Sequence, residues 1–321
     1  MKPGSEFKPA WWLPTPHLQT IWPALFRKKM PLSLTRERVE LDDGDFIDLA
    51  WHDKGYKPLV LILHGLEGSI ASHYSTPLMS ALDKAGFASV FMHFRNCSHE
   101  PNRLPRSYHS GDTGDIEAIV RHIKEHHNRS VFAAIGFSLG GNALLKWLGE
   151  TGNSNPLTCA SAISVPFILS DSAEKLDFGF SRLYQYHLLR HLRKSYKNKF
   201  SSLPSPLAVK VEKLRTFREF DNEITAPLHG FRDVDHYYGE SSCRQYLKNI
   251  SIPTCLIHSQ DDPFMFPESA PGKAELSDQI VFHLAANGGH VGFVSGSSPF
   301  NTRYWYEEVV CEFLQSQYPS S

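Results

Sequence analysis

Cysteine is sparse in this sequence, and its arrangement excludes two common ways of bracing a chain. The five residues, Cys97, Cys159, Cys243, Cys255 and Cys311, are odd in number and none stands in a C-x-x-C pair. That argues against a disulfide framework and against a zinc ribbon, and free thiols in a reducing compartment are expected. Charge of either sign is also not in excess. With 33 Lys and Arg against 34 Asp and Glu, the net charge is −1, so no overall field draws the chain onto nucleic acid. The N-terminus carries Lys2, Glu6 and Lys8 and lacks the continuous apolar core of a signal peptide, which makes a cytoplasmic protein the expectation. Residues 9–26 contain no Asp, Glu, Lys or Arg, but Pro9, Pro14, Pro16 and Pro23 interrupt them and exclude a membrane-spanning helix. Internal repeats and low-complexity tracts are absent. The nearest approach to a metal pair, His187-Leu-Leu-Arg-His191, lacks the glutamate of H-E-x-x-H and reads as two turns of ordinary helix. Neither a metal nor a cofactor is called for.

What is present is centred on Val131 to Lys146, VFAAIGFSLGGNALLK. Val131 to Ile135 are apolar and partly β-branched, as a fully buried strand requires, and Leu144, Leu145 and Leu148 fall on one helical face. Between them lies Gly136-Phe-Ser138-Leu-Gly140, a G-x-S-x-G nucleophile elbow. Such a turn strains the serine backbone by about 1–3 kcal/mol so that the hydroxyl stands clear of the sheet edge. Five residues of this pattern arise readily by chance as a plain Gly-Ser turn. The strand before and the helix after favour the nucleophile.

The rest of the chain follows the same grammar. Val39, Leu41, Ile47, Leu49 and Trp51 alternate around Asp43-Gly44 as a hairpin. Buried strands are expected at 59–63, 88–94, 159–165, 253–258 and 281–284, with helices at about 72–84, 116–127 and 303–316. Asp112 or Asp115 offers a cap for the second of these helices. Strands that are apolar throughout and alternate with helices imply an α/β fold with a mostly parallel central sheet and helices on both faces. A chain of this length has room for one such domain with an insertion. The alternation stops between about 166 and 249, where Arg182, Arg190, Arg193 and Lys194 intersperse with leucines, and a helical cap insertion is expected there. Residues 1–36 are expected as an aromatic N-terminal arm and 37–321 as the main domain. Trp11, Trp12 and Trp22 crowd the arm. Its prolines favour an irregular segment packed on the domain over an amphipathic helix, with peripheral membrane contact as the alternative.

A serine hydroxyl needs a base, and the base an orienting acid. Around such an elbow the chain order is Ser, then Asp or Glu, then His. After Ser138, the strand at 253–258 ends in Ser259-Gln-Asp261-Asp262-Pro263, placing a carboxylate at the sheet's carboxyl edge, where ligands bind in open α/β sheets. Asp262 is the candidate, with Asp261 as the alternative and a turn cap as the competing role for either. The last strand is followed by Ala285-Ala-Asn-Gly-Gly-His290, a glycine-rich loop that can swing His290 over the same edge as base. An oxyanion needs preorganised donors. The backbone N–H groups of Leu139, after the nucleophile, and Leu66, in the loop His64-Gly-Leu-Glu-Gly68, are the candidates. Arg95, His99 and His109 fall in loops on the carboxyl side of the sheet, where packing is as good a reading as substrate contact.

Several stretches together resemble the YheT-like group of α/β-hydrolases, relatives of the abhydrolase-domain esterases and lipases. They are Pro16-His-Leu-Gln-Thr20, His64-Gly-Leu-Glu-Gly68, His93-Phe-Arg-Asn-Cys-Ser98, Tyr108-His-Ser-Gly111, Gly136-Phe-Ser-Leu-Gly-Gly141, Asp261-Asp-Pro-Phe264 and Gly288-Gly-His-Val-Gly-Phe293. The resemblance spans nearly the whole chain. It implies the α/β-hydrolase fold, a Ser138, Asp262, His290 triad and hydrolysis of carboxylic esters of small or lipid-like alcohols. The same triad serves thioesterases and acyltransferases, and the same fold serves non-catalytic ligand-binding modules.

Overall fold

The computed structural model describes residues 6–55 and 58–318. Its centre is an eight-stranded sheet made of β1 (Thr35–Glu40), β2 (Phe46–His52), β3 (Leu59–Leu63), β4 (Ala88–Met92), β5 (Val131–Phe137), β6 (Cys159–Ile163), β7 (Thr254–Ser259) and β8 (Ile280–Ala285). The spatial order is β1-β2-β4-β3-β5-β6-β7-β8. The β1–β2 and β2–β4 pairs are antiparallel and all others parallel. All five residues of β3, β4 and β6 are buried, and each Leu, Ile or Val so enclosed contributes roughly 1.5–3 kcal/mol.

Helices α1 (Pro16–Phe26), α2 (Ser75–Lys84), α3 (Gly114–His126) and α4 (Leu139–Thr151) precede β6. Apolar side chains cover the sheet on both faces. One cluster holds α3 and α4 against it through Ile116, Ile119, Leu144 and Trp147. The other holds α2 and the C-terminal helix through Leu78, Leu82, Tyr306 and Val310. Between β6 and β7 lie α5 (Leu169–Lys175), α6 (Ser181–Lys199), α7 (Phe217–Phe220), α8 (Ala226–Leu228) and α9 (Val234–Ser241). They gather a separate core from Leu176, Leu189, Phe217, Phe220 and Tyr237. A two-stranded hairpin, β9 (Val294–Ser298) with β10 (Asn301–Tyr304), leads into α10 (Trp305–Gln317). No helix among the described residues is long and apolar enough to cross a membrane.

Three local expectations are corrected. The arm is not irregular throughout, because α1 forms over Pro16–Phe26. Pro16 occupies the first helical turn, where its missing N–H costs nothing, and Thr15 Oγ1 accepts from the Leu18 N–H as N-cap. Neither Asp112 nor Asp115 caps α3. The N-cap position is Thr113 with no side-chain bond, and the two carboxylates instead meet Arg106 and Arg95. The hairpin at β9–β10 was not anticipated, since Gly296 and the serines around it give no alternating apolar signal.

Candidate active site

The turn from β5 into α4 has the strain its sequence implies. Ser138 sits at φ 49° and ψ −118°, a region that L-residues avoid unless the surroundings impose it. Its N–H donates to Ile163 O at 2.9 Å, and its carbonyl accepts from the Asn142 N–H at 3.0 Å. The flanking glycines are there for space. A Cβ on Gly136 would stand 2.5 Å from Gly140 O, and one on Gly140 would stand 2.4 Å from His64 O.

Three side chains meet above this turn. Ser138 Oγ lies 3.0 Å from His290 Nε2, and His290 Nδ1 lies 2.8 Å from Asp262 Oδ2. The carboxylate partner assigns the proton to Nδ1, which leaves Nε2 to accept from the serine hydroxyl. Asp262 is 3% exposed, and its Oδ1 accepts from the Phe264 N–H at 2.9 Å. The Phe264 ring lies parallel to the imidazole with centroids 4.0 Å apart, so the imidazole is held on one face. Asp261 faces elsewhere. It accepts from the Gly289 N–H at 3.0 Å and from Asn287 at 3.3 Å, holding the glycine-rich loop and not the imidazole.

The loop after β3 approaches the serine closely. A Cβ on Gly65 would lie 3.2 Å from Ser138 Cβ. In that loop the Gly65 N–H donates to Tyr74 Oη, the Glu67 N–H to Tyr108 Oη, and the Gly68 N–H to Gly65 O. The Leu66 N–H is left without an acceptor among the described residues. The Leu139 N–H opens α4 and belongs to the first-turn donors that lack an intrahelical partner. Both leucines line the cavity that contains Ser138 and His290.

That cavity has a volume of about 600 Å³ and is walled by the sheet edge, α1 and the helices between β6 and β7. Leu176, Leu188, Leu192, Phe217 and Ile224 make much of its surface apolar. Polar groups in the wall are bonded to one another. Glu67 Oε1 accepts from Tyr108 Oη at 3.1 Å and its other oxygen from Ser195 of α6, tying the loop after β3 to α6. Burial pushes the Glu67 carboxyl above its ordinary range, against the pull of these two hydroxyls. Burial likewise drives the imidazoles of His73 and His109 down to about 3, so both are neutral near pH 7. Lys199 donates to Asn96 Oδ1 and Asn102 O, and burial lowers its ammonium to about 8.

Sequence reasoning overlooked some of these residues and left the role of others open. Thr20 Oγ1 of α1 accepts the His290 N–H at 2.9 Å, so the arm helps to position His290. The Pro16–Thr20 stretch is distinctive, but nothing in it announces that contact. Glu67 is more than a turn residue. Of the loop candidates, Arg95 is spent on packing, 3% exposed and paired with Asp43, Asp45 and Asp115. His109 does line the cavity. His187 and His191, their rings 4.6 Å apart and tilted at 47° on α6, line it too. Among the described residues, Glu37, His122 and His127 form a group able to hold a metal ion. They lie on β1 and around α3 and form no part of the cavity wall.

With this geometry established, comparisons with known proteins are informative. The family description "alpha/beta hydrolase fold" matches residues 58–297. The chain is 39% identical to the YheT protein of Escherichia coli, over 97% of this chain and 93% of that one. It is 29% identical to the mouse phospholipase ABHD3, over 93% of this chain and 75% of that one. Among solved structures, an esterase of Pyrococcus furiosus superposes with a TM-score of 0.58 at 18% identity, covering 89% of this chain and 93% of the other, a likeness of fold alone.

Proposed function

The chain belongs to the alpha/beta hydrolase fold family, in its esterase and lipase-like branch, and from that premise we propose that it is a serine ester hydrolase acting on acyl esters of small or lipid-like alcohols. The observation that carries the reading is the unbroken hydrogen-bond line from Ser138 Oγ through His290 to Asp262, opening into an apolar cavity. In this reading Ser138 Oγ attacks the acyl carbon while His290 Nε2 takes its proton. Asp262 stabilises the imidazolium and fixes its tautomer. The carbonyl oxygen, now anionic, is held by the Leu66 and Leu139 N–H groups, each such donor worth on the order of 10²–10³ in rate. His290 returns the proton to the departing alcohol, and an acyl-serine remains. Water activated by the same imidazole releases the acid. The helices between β6 and β7 act as a cap that shapes the acyl site. Relatives named for phospholipid hydrolysis and the leucine- and phenylalanine-rich wall favour a hydrocarbon acyl chain over a polar one.

The test is hydrolysis of p-nitrophenyl esters from acetate to decanoate by the wild type and by Ser138→Ala. Loss of the nucleophile is expected to cost on the order of a millionfold in kcat. Equal activity of the two proteins would remove Ser138 from the reaction. Inactivity of both on every ester would favour a ligand-binding role for the cavity.

A further inference from the structure

Helix α1 is built inside out. Its buried face carries Gln19, 1% exposed, whose amide donates to Leu13 O and Val294 O and accepts the Val294 N–H. Leu18, Ile21, Trp22 and Leu25 follow the i, i+3, i+4, i+7 spacing of one helical stripe; its two ends, Leu18 and Leu25, are exposed, while Ile21 and Trp22 between them are half-buried, Trp22 against Ala10, Leu13 and Val294. Leu25 is 69% exposed, with Leu18 and Phe26 exposed beside it. A short helix that buries its amide and shows its leucines to water carries an apolar surface in search of a partner.

A second exposed apolar stretch adjoins the first. The opening turns of α6 present Phe180, Leu183 and Tyr186, Leu183 being 58% exposed. The two helices are bridged by His17, whose ring lies 4.4 Å from Phe180 and whose Nδ1 is 3.1 Å from Tyr184 Oη. The cavity reaches the surface between them. Ile21 and Leu25 line it from α1, and His187 and His191, both exposed, line it from α6.

Charge identifies the partner. The nineteen residues of α6 include no Asp or Glu. Arg182, Arg190 and Lys194 stand exposed on it with no ion pair among the described residues. Lys28 and Lys29, also exposed, follow directly on α1. This is a local excess in a chain whose net charge is −1. We propose that this apolar rim with its basic flank docks on an anionic lipid bilayer, leucines and phenylalanines entering the headgroup region while the cations meet lipid phosphates. The mouth between α1 and α6 then faces the interface. A second copy of the chain is a poorer occupant, because a two-fold contact would set the cations of one α6 near those of the other. What the mouth admits rests on the ester-hydrolase reading, whereas docking itself needs no turnover.

The two can be tested apart by flotation of Ser138→Ala, which cannot digest the vesicles. Vesicles of phosphatidylcholine alone would be compared with vesicles containing about 30% phosphatidylglycerol. Binding is expected to the anionic vesicles and to weaken with salt. Leu18→Asp with Leu183→Asp should reduce it by about tenfold or more, and Arg182→Glu, Arg190→Glu and Lys194→Glu together should abolish the preference for anionic lipid. Neither set touches the cavity wall, so the same substitutions in the active chain should leave turnover of a soluble ester unchanged, showing that they fold. Absence of binding to both vesicle types overturns the proposal, as does equal binding by Leu18→Asp/Leu183→Asp. A concentration-dependent dimer that those substitutions break, in a chain that ignores vesicles, also overturns it.

Discussion

Asp261 and Asp262 carry the same side chain one position apart, and their surroundings give them different work. Asp262 emerges from the end of β7, is nearly sealed from water and meets His290 Nδ1 at 2.8 Å. Asp261 holds the Gly289 N–H. If the imidazole needs an anion to fix its tautomer, Asp262→Asn should lower kcat by about 10⁴ with little change in fold. Asp261→Asn keeps an oxygen that can accept from Gly289, so it should retain most of the activity. Steady-state kinetics on a soluble ester, with circular dichroism as the folding control, distinguishes the two. Both aspartates were in view from chain order alone. Asp262 was the candidate there and Asp261 stayed open as the alternative, because a single residue step redirects a side chain by an amount that only the turn geometry determines.

At the level of elements, α1 is the part that pattern reading handled least well. Four prolines in residues 9–23 argued for an irregular arm, yet two of them, Pro16 and Pro23, lie in an 11-residue helix. The helix is sustained by tertiary contacts, chiefly the Gln19 amide and the Thr20 hydroxyl that holds the His290 N–H. Gln19→Ala would leave the buried Val294 N–H without its acceptor, while the Val294 carbonyl keeps the Ala10 N–H, an expected loss of about 1–3 kcal/mol. A lower urea midpoint should therefore accompany a lower kcat as the loop bearing His290 loosens. A drop in stability with unchanged kcat would uncouple α1 from the base. The sheet strands, by contrast, were legible to within about three residues at each end, since an apolar run of five or six residues bounded by turns has few alternatives.

Over the whole molecule, stability and pH are linked through the cavity wall. Asp221 accepts from Thr225 Oγ1 at 2.6 Å and Tyr238 Oη at 2.7 Å, and burial raises its pKa to about 6. The folded chain therefore holds this proton across a range, from about pH 4 to 6, in which the unfolded chain releases it. The contribution of Asp221 to stability is largest below that range and is lost as pH rises through it. Asp221→Asn, which cannot ionise, should flatten this part of the pH profile and gain stability relative to wild type near pH 7. Urea unfolding at pH 5 and pH 7.5 would show it, and parallel profiles for the two proteins would exclude the effect.

The sequence by itself determined the sheet, its helices, the strained turn at Ser138 and the chain order in which the aspartates after β7 and then His290 follow it, because these depend on local periodicity and on backbone geometry that only certain residues permit. Tertiary structure alone decided that the arm reaches back to His290, that Glu67 joins the loop after β3 to α6, that Arg95 is consumed by three aspartates, and that Leu18, Leu25 and Phe26 of α1 stay exposed. Each of these is a contact between residues distant in the chain. No periodicity encodes such a contact, since its energy depends on which surfaces the packed sheet brings together.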